Sequence, residues 1–480
     1  MFGHPAGLKT LFFTELWERL SYYGMRALLM LFLVATIETG GFGMTSEKAG
    51  AIYGLYTAMV YLCALPGGWI ADRILGLRNS VFVGGAIIAA GHFSMAIPSQ
   101  ATFYAGLVLI VVGTGLLKPN ISALVGELYP EGGGRRDAGF SIYYMGINLG
   151  AFLGPLVCGY LGQEVSWHLG FSAAGIGMVF GLIQYRIGLK NLGEIGTLKV
   201  DPAVKQKSIR QLGLAICGGI VVLGLTALLQ KMGAIGLTVA KVAHLLGYFI
   251  ALVAIVYFAY ILILGHWSVV EKKRIVVIFF LFLSSAMFWA GFEQAGSSLN
   301  LFADQRTNLS VMGIGFPSSW FQSVNPFFII VLAPVFAWLW VWLGNREPSM
   351  PGKFAMALLL MATGFFVLGW GATYTSDTTK VSSAWLIVTY FLHTSGELCL
   401  SPVGLSSVTK LAPKALVGQM MGMWFTGTAL GNLIAGLSGS QFDSMPLPHL
   451  FGTVGAFGAV FAVVLIVFKE PIKKLCGGVK

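Results

Sequence analysis

The chain has 480 residues, of which 56% are hydrophobic and only 10% charged. That balance excludes a soluble globular domain and points to a polytopic membrane protein, and its 64 glycines suit helices that approach one another closely in a bilayer. The formal net charge of +11 would fit an anionic partner such as nucleic acid, but the placement of the basic residues excludes this.

At about 20 apolar residues per span, the sequence predicts membrane helices near 10–37, 50–72, 80–98, 102–126, 138–162 and 169–190. A polar, basic stretch follows, LKNLGEIGTLKVDPAVKQKSIR, and then two spans near 211–230 and 240–265. Six more lie near 275–298, 320–344, 353–373, 383–408, 416–440 and 449–468. The expected fold is therefore all-α and polytopic with 14 transmembrane helices. An N-terminal six-helix bundle covers 1–190, a linker with two inserted helices 191–270, and a C-terminal six-helix bundle 271–480.

An even number of spans puts both termini on one side. Of the 30 Lys and Arg, 22 fall on that side, five on the other, and three (Arg19, Arg26, Lys118) within the membrane. The positive-inside rule then places both termini in the cytoplasm, where the basic excess faces anionic lipid rather than nucleic acid. The N-terminal MFGHPAGLKTLFF lacks the pattern of a cleaved signal peptide. Cys63, Cys158, Cys217, Cys399 and Cys476 have no metal-ligand or paired spacing, so they are read as packing residues, with no disulfide and no metal.

The chain repeats itself. LKPNISALVGELYP (Leu117–Pro130) and LSPVGLSSVTKLAP (Leu400–Pro413) place their prolines alike, Pro119 and Pro130 against Pro402 and Pro413. YYMGINLGAFLGP (Tyr143–Pro155) and WFTGTALGNLIAG (Trp424–Gly436) align Gly146 with Gly427, Leu149 with Leu430 and Gly150 with Gly431. These are the fourth and fifth spans of each six-helix group. A parallel repeat of this kind resembles the two halves of the major facilitator architecture, which handles substrate between the halves near the bilayer midplane.

The first span carries Glu15, Glu18, Arg19 and Arg26, on one helix face with Tyr22 and flanked by Tyr23. Ionisable groups at membrane depth are costly, so they face a bundle interior or an aqueous cavity and pair with one another. Lys118, Glu293 and Glu397 complete a set of four acids and three bases, with His92 and His393 as weaker candidates; His393 reads as a helix-packing residue and His92 more so. A salt-bridge set that only fixes register is a poor stabiliser compared with apolar packing. The pattern favours a proton relay with a site for a ligand bearing both charges, because a carboxyl whose basic partner moves away gains a proton.

These residues sit in motifs that resemble the proton-dependent oligopeptide transporters, the POT or PTR family of the major facilitator superfamily. ELWERLSYYG (Glu15–Gly24) is similar to that family's ExxER motif, and GGWIADRILGLRNSVFVGG (Gly67–Gly85) to its second-to-third-helix signature. FSIYYMGINLGAFLGP, FWAGFEQAGSSLNLFA and SGELCLSPVGLSSVTKLAP resemble its fifth, seventh and tenth helices. The resemblance runs from about Lys9 to Pro471 and includes the bacterial two-helix insertion.

It implies proton-coupled uptake of di- and tripeptides by alternating access, driven by the proton gradient without a cofactor, by a monomer in the bacterial inner membrane. By resemblance, Glu15, Glu18, Arg19, Lys118 and Glu293 serve proton coupling. Tyr23, Arg26, Tyr61, Lys118, Asn148, Asn325, Glu397 and Trp424 form the substrate site, with Arg26 on the peptide carboxylate and Asn148, Asn325 and Glu397 on its amino end and backbone. Family gating would make Arg26–Glu293 an extracellular-side pair and Lys118–Glu397 an intracellular-side pair, while Asp72 and Arg73 belong to a loop whose charge contacts hold the inward gate closed. Leu20 replaces a common Phe, and the second-helix histidine of animal homologues has no counterpart, so coupling would rest on carboxylates.

The chemistry of a short zwitterion agrees: cations for its carboxylate, a carboxylate and amides for its amine, and aromatic walls for variable side chains. The alternative is a proton-coupled transporter of another small amphoteric or anionic solute on the same fold. No HExxH, GxSxG or paired metal spacing supports an enzyme, and charges distributed over different helices do not form the ring of a channel.

Overall fold

The computed structural model describes residues 3–477 apart from 132 and 312. Its helices, in chain order, are α1 (Ala6–Val34), α2 (Ser46–Leu62), α3 (Ala64–Ile70), α4 (Leu77–Met95), α5 (Gln100–Glu127), α6 (Gly133–Tyr160) and α7 (Trp167–Gly188). Then come α8 (Pro202–Lys231), α9 (Val239–Leu264), α10 (Val269–Phe292), α11 (Ser298–Arg306), α12 (Val324–Leu343) and α13 (Met350–Ala372). The chain closes with α14 (Ala384–Leu411), α15 (Val417–Gly439), α16 (Leu447–Val467) and the short α17 (Lys469–Leu475). One two-stranded hairpin pairs Ser310–Val311 with Ile314–Gly315.

Among the described residues, ten helical stretches are long and apolar enough to cross a membrane. The charged α1 lies outside that set, as do α4, α14 and α15.

Helix ends follow the sequence closely, with two instructive differences. The stretch before 211 reads as a polar linker, yet α8 starts at Pro202. The Asp201 side chain accepts from the Ala203 N–H at 2.7 Å, and Pro202 occupies a first-turn position where its missing N–H costs nothing. Hydropathy sees only the apolar part of such a helix. The second difference is a break after α10, where Glu293–Gly296 winds as a 3₁₀ turn before α11. A Cβ on Gly296 would lie 1.9 Å from the Tyr53 hydroxyl, so the break lets α2 approach the backbone closely. At the start of α10, Ser268 and Glu271 form a reciprocal capping box.

The glycines of the repeat have a physical role. On α6, a Cβ on Gly146, Gly150 or Gly154 would fall 2.9, 2.3 and 2.5 Å from Phe12 and the Leu16 and Leu20 carbonyls of α1. On α15, Gly427 and Gly431 meet Phe282, Trp289 and the Ala286 carbonyl of α10 in the same way. In each group the glycine-bearing helix lies against that group's first helix at a spacing only glycine permits. Pro119 and Pro402 occupy corresponding places inside α5 and α14.

α1 also packs on α7, and α4 on α5 and α7; α13 packs on α14 and α16, and α10 on α14 and α15. α9 rests in the crease between α2 and α15, where Ala51, Ala58, Ala243, Ile250 and Leu433 cluster. α8 has only Ser208 buried and meets the rest of the chain at the Ala71–Leu75 turn.

The two groups meet at the end opposite the chain termini. There α2 crosses α15, Asn300 donates to the Ala27 carbonyl at 2.9 Å, and Ser323 donates to the Phe152 carbonyl at 2.7 Å. Gln163 donates to Ser318 at 2.8 Å and accepts from the Ser319 N–H at 2.9 Å. At the terminus-bearing end the groups part around a cavity of about 2190 Å³.

Candidate functional site: a charged cavity between two helix groups

The periodicity of α1 places its charges along one strip, and the strip is buried. Glu15 and Arg19 are 2% exposed and Glu18 is fully inaccessible, so each needs a partner within the protein. Arg19 provides it: its Nε lies 3.0 Å from Glu15 and contacts Glu18 as well. From α6, the Tyr143 hydroxyl donates to the second Glu15 oxygen at 2.8 Å. This residue was missed in the sequence. The available signal was a tyrosine at the head of the α6 glycine motif, one helix away from an unbalanced acid.

Two turns further along α1, Arg26 pairs with Glu293 at 2.8 Å, joining the first helix to the 3₁₀ break after α10. Both are buried. Tyr23 lies between the two arginines, its ring centre 5.9 Å from the Arg19 guanidinium and 5.3 Å from that of Arg26, within cation–π range. Tyr22 takes the same position over Arg19 at 5.3 Å.

The large cavity opens beside these pairs. Tyr61, Lys118, Asn148, Glu397 and Trp424 line it at depth, and Asp137, Arg346, Glu347 and Lys473 lie nearer its mouth. Lys118, on α5, stands over the Tyr61 ring at 4.1 Å. Across the cavity, Asn325 donates to Glu397 at 3.1 Å and to Thr394 at 2.9 Å. Among the described residues no ion pair joins Lys118 to Glu397, so a cation and a carboxylate face one cavity from opposite helix groups with room between them.

Asn148 donates to the Tyr144 carbonyl of its own helix at 3.0 Å and lines the cavity. Trp424 packs edge-on against Phe354, and a Cβ on Gly404 would lie 2.1 Å from its ring, so α14 carries a glycine where the indole passes.

Other predicted residues fall elsewhere. Asp72 and Arg73 are exposed and make no ion pair among the described residues; Arg73 lies over Trp69 at 5.5 Å. The loop therefore makes no closing charge contact in this arrangement, whose cavity is open at that end. His92 meets Ser21 at 2.6 Å between α4 and α1, and His393 reaches the Met361 carbonyl at 3.1 Å between α14 and α13. Both are buried away from the cavity, in line with packing roles.

Residues 78–455 match the profile of the POT family. A peptide transporter of Yersinia enterocolitica subsp. palearctica is 42% identical, with 99% of this chain and 96% of that protein covered. A di-/tripeptide transporter of Lactococcus lactis subsp. cremoris is 38% identical, with 100% and 98% covered. The chain belongs to the POT family. The crystal structure of a peptide transporter POT in complex with sulfate superimposes with a TM-score of 0.93 at 44% identity, over 99% of this chain and 96% of that one. POT proteins are membrane transporters rather than enzymes.

Proposed function

We propose that the protein is a proton-coupled symporter of di- and tripeptides that works by alternating access on a major facilitator fold of 14 transmembrane helices. In this reading α1, α4, α14 and α15 also cross the membrane, their charges shielded by the bundle interior. The units are a six-helix bundle over 1–190, the linker and inserted helices over 191–270, and a second bundle over 271–480. Both termini are cytoplasmic, the protein sits as a monomer in the bacterial inner membrane, and the cavity opens to the cytoplasm.

The observation that carries the reading is the pair of unmatched poles across one cavity, Lys118 on one helix group and Glu397 with Asn325 on the other. A short peptide carries both complementary charges at its ends. Its carboxylate would meet Lys118 and Arg26, and its amino group Glu397, with Asn148 and Asn325 on the backbone and Tyr23, Tyr61 and Trp424 as walls. The relatives that transport peptides support the same substrate class. Glu15, Glu18, Arg19, Lys118 and Glu293 are the coupling set, since each acid of the two ion-paired clusters has a basic partner that an incoming carboxylate or proton can displace. Asp72 and Arg73 would gate the cytoplasmic side when the cavity closes.

The test is uptake of labelled dialanine into liposomes holding the pure protein under an inward proton gradient, with Glu15→Gln and Glu18→Gln run beside it. Concentrative uptake by the wild type, with only peptide-for-peptide exchange left in the variants, supports the assignment. A folded protein that moves no dipeptide under any gradient refutes it, and the cavity would then be screened against other amphoteric and anionic solutes.

A further inference from the structure

A second, smaller crevice lies outside the transport cavity, between α1 and α7 on the membrane-facing side. It measures about 540 Å³ and is bounded by Trp17, Phe180, Ile183 and Ile187 on its apolar flank and by Lys9 and Lys190 at the end that carries the termini. The transport mechanism uses none of these residues.

Its composition changes along its length in an ordered way. Ile176, Phe180, Ile183 and Ile187 recur at helical spacing on α7, between 48% and 66% exposed, so they form one outward stripe. Phe180 meets Trp17 of α1 with ring centres 5.4 Å apart, which gives the stripe a second wall. From Ile176 to Ile187 the stripe spans about 16 Å at 1.5 Å per residue, close to one leaflet of a hydrocarbon core about 30 Å thick. One turn beyond its last isoleucine stands Lys190, and Lys9 comes from the first turn of α1. Both are exposed, and neither ammonium has an ion-pair partner among the described residues.

The floor between apolar stripe and basic end is polar. Thr14 donates to Gln184 at 3.0 Å and Asn191 donates to Thr10 at 3.2 Å, tying α1 to α7 and to the turn Leu189–Leu192 that follows it. Those bonds use the Gln184 carbonyl oxygen and leave its Nε2 donors without a protein partner among the described residues. An acyl chain fits the stripe, a phosphate fits two lysines, and glycerol or ester oxygens fit the amide donors between them.

We propose that this crevice binds one anionic glycerophospholipid from the leaflet on the terminus-bearing side, with its phosphate held by Lys9 and Lys190 and one acyl chain lying along Phe180, Ile183 and Ile187. The site is distinct from general attraction of basic loops to the membrane, because it pairs the charges with an apolar track walled by Trp17 and continued by the outward stripe of α7. Its wall is the helix that carries Glu15 and Glu18, so occupancy holds α1 against α7 at the foot of the coupling strip.

The test is native mass spectrometry of the full chain in detergent, titrated with phosphatidylglycerol, with phosphatidylethanolamine of the same chains, and with soluble glycerol 3-phosphate. The wild type should retain phosphatidylglycerol preferentially. Lys9→Gln with Lys190→Gln should weaken that binding about thirty-fold, as expected for two lysines near an anionic surface. Phe180→Ala should weaken both lipids, and Lys205→Gln with Lys207→Gln should change neither. Equal retention of the two lipids, unchanged affinity in the double variant, or complete displacement by glycerol 3-phosphate would each overturn the proposal. Thermal midpoints of all variants confirm that losses arise in folded protein.

Discussion

Closure at the end away from the termini includes a backbone contact that a single methyl group should spoil. Where α2 crosses α15, a Cβ on Gly436 would lie 2.3 Å from the Gly54 Cα, 2.4 Å from its nitrogen and 2.6 Å from the Gly50 carbonyl oxygen. Carbon atoms pack best at about 3.5–4.0 Å, so Gly436→Ala leaves the helices about 1.2 Å too close. The obstacles are backbone atoms, which cannot rotate aside. Overpacking of this kind costs about 1–3 kcal/mol, and at about 1.4 kcal/mol per tenfold the closed form loses some fivefold to a hundredfold in population. Gly418, on the same helix with nothing within 4 Å of its would-be Cβ, is the control, because Gly418→Ala makes the same propensity change without the contact. Spin labels at Lys48 and Ser444 report this end by pulsed dipolar spectroscopy, and labels at Arg136 and Thr409 report the other. Gly436→Ala should lengthen the first distance and shorten the second, while Gly418→Ala leaves both unchanged. Identical distance distributions in the two variants would refute the argument that backbone contact between α2 and α15 sets the state.

Three further outcomes follow from the site. Tyr143→Phe removes the hydrogen bond to Glu15, and loss of a bond to a charged group, worth about 1.5–3 kcal/mol, should lower gradient-driven uptake about tenfold or more while peptide exchange persists. Gly404→Ala forces its methyl into the Trp424 ring, so the indole must move toward the cavity; calorimetry should show weaker dipeptide binding with little change in thermal midpoint. Glu293→Gln keeps the shape of the contact with Arg26 but removes its charge, and flux measurements should show exchange without accumulation at any imposed pH gradient.

Much of this arrangement can be read from one sequence because a bilayer leaves few choices. Helix positions follow hydropathy, and the buried charges of α1 stand out because lipid penalises them. The glycine repeat is visible for a related reason: α6 and α15 each need a bare backbone against a neighbour, and only one residue type supplies it. What escapes is pairing across distance. Tyr143 and Glu15, Asn300 and Ala27, and Gln163 and Ser318 lie far apart in the chain, and each side chain alone is an ordinary polar residue. The break at Glu293–Gly296 escapes too, because it carries no local proline and the close neighbour of Gly296 is Tyr53 on another helix.

The contacts between the two helix groups suggest why proton and substrate should move together. Among the described residues, Arg26–Glu293 is the one ion pair that crosses between the groups, beside the packing of α2 on α15 and hydrogen bonds of modest net strength. Removing one partner of a buried pair costs about 3–5 kcal/mol because the other charge is left bare. A proton arriving alone on Glu293 would strand Arg26 as a buried cation. A peptide carboxylate arriving alone at Arg26 would strand Glu293 as a buried anion. When both arrive, the proton neutralises Glu293 and the carboxylate satisfies Arg26, so the pair can part with neither charge exposed to apolar surroundings. The same exchange loosens the closed end, since among the described residues no ion pair then spans the two groups there. Coupling on this account needs no mechanical lever, only the expense of an unpaired charge in a place that water does not reach.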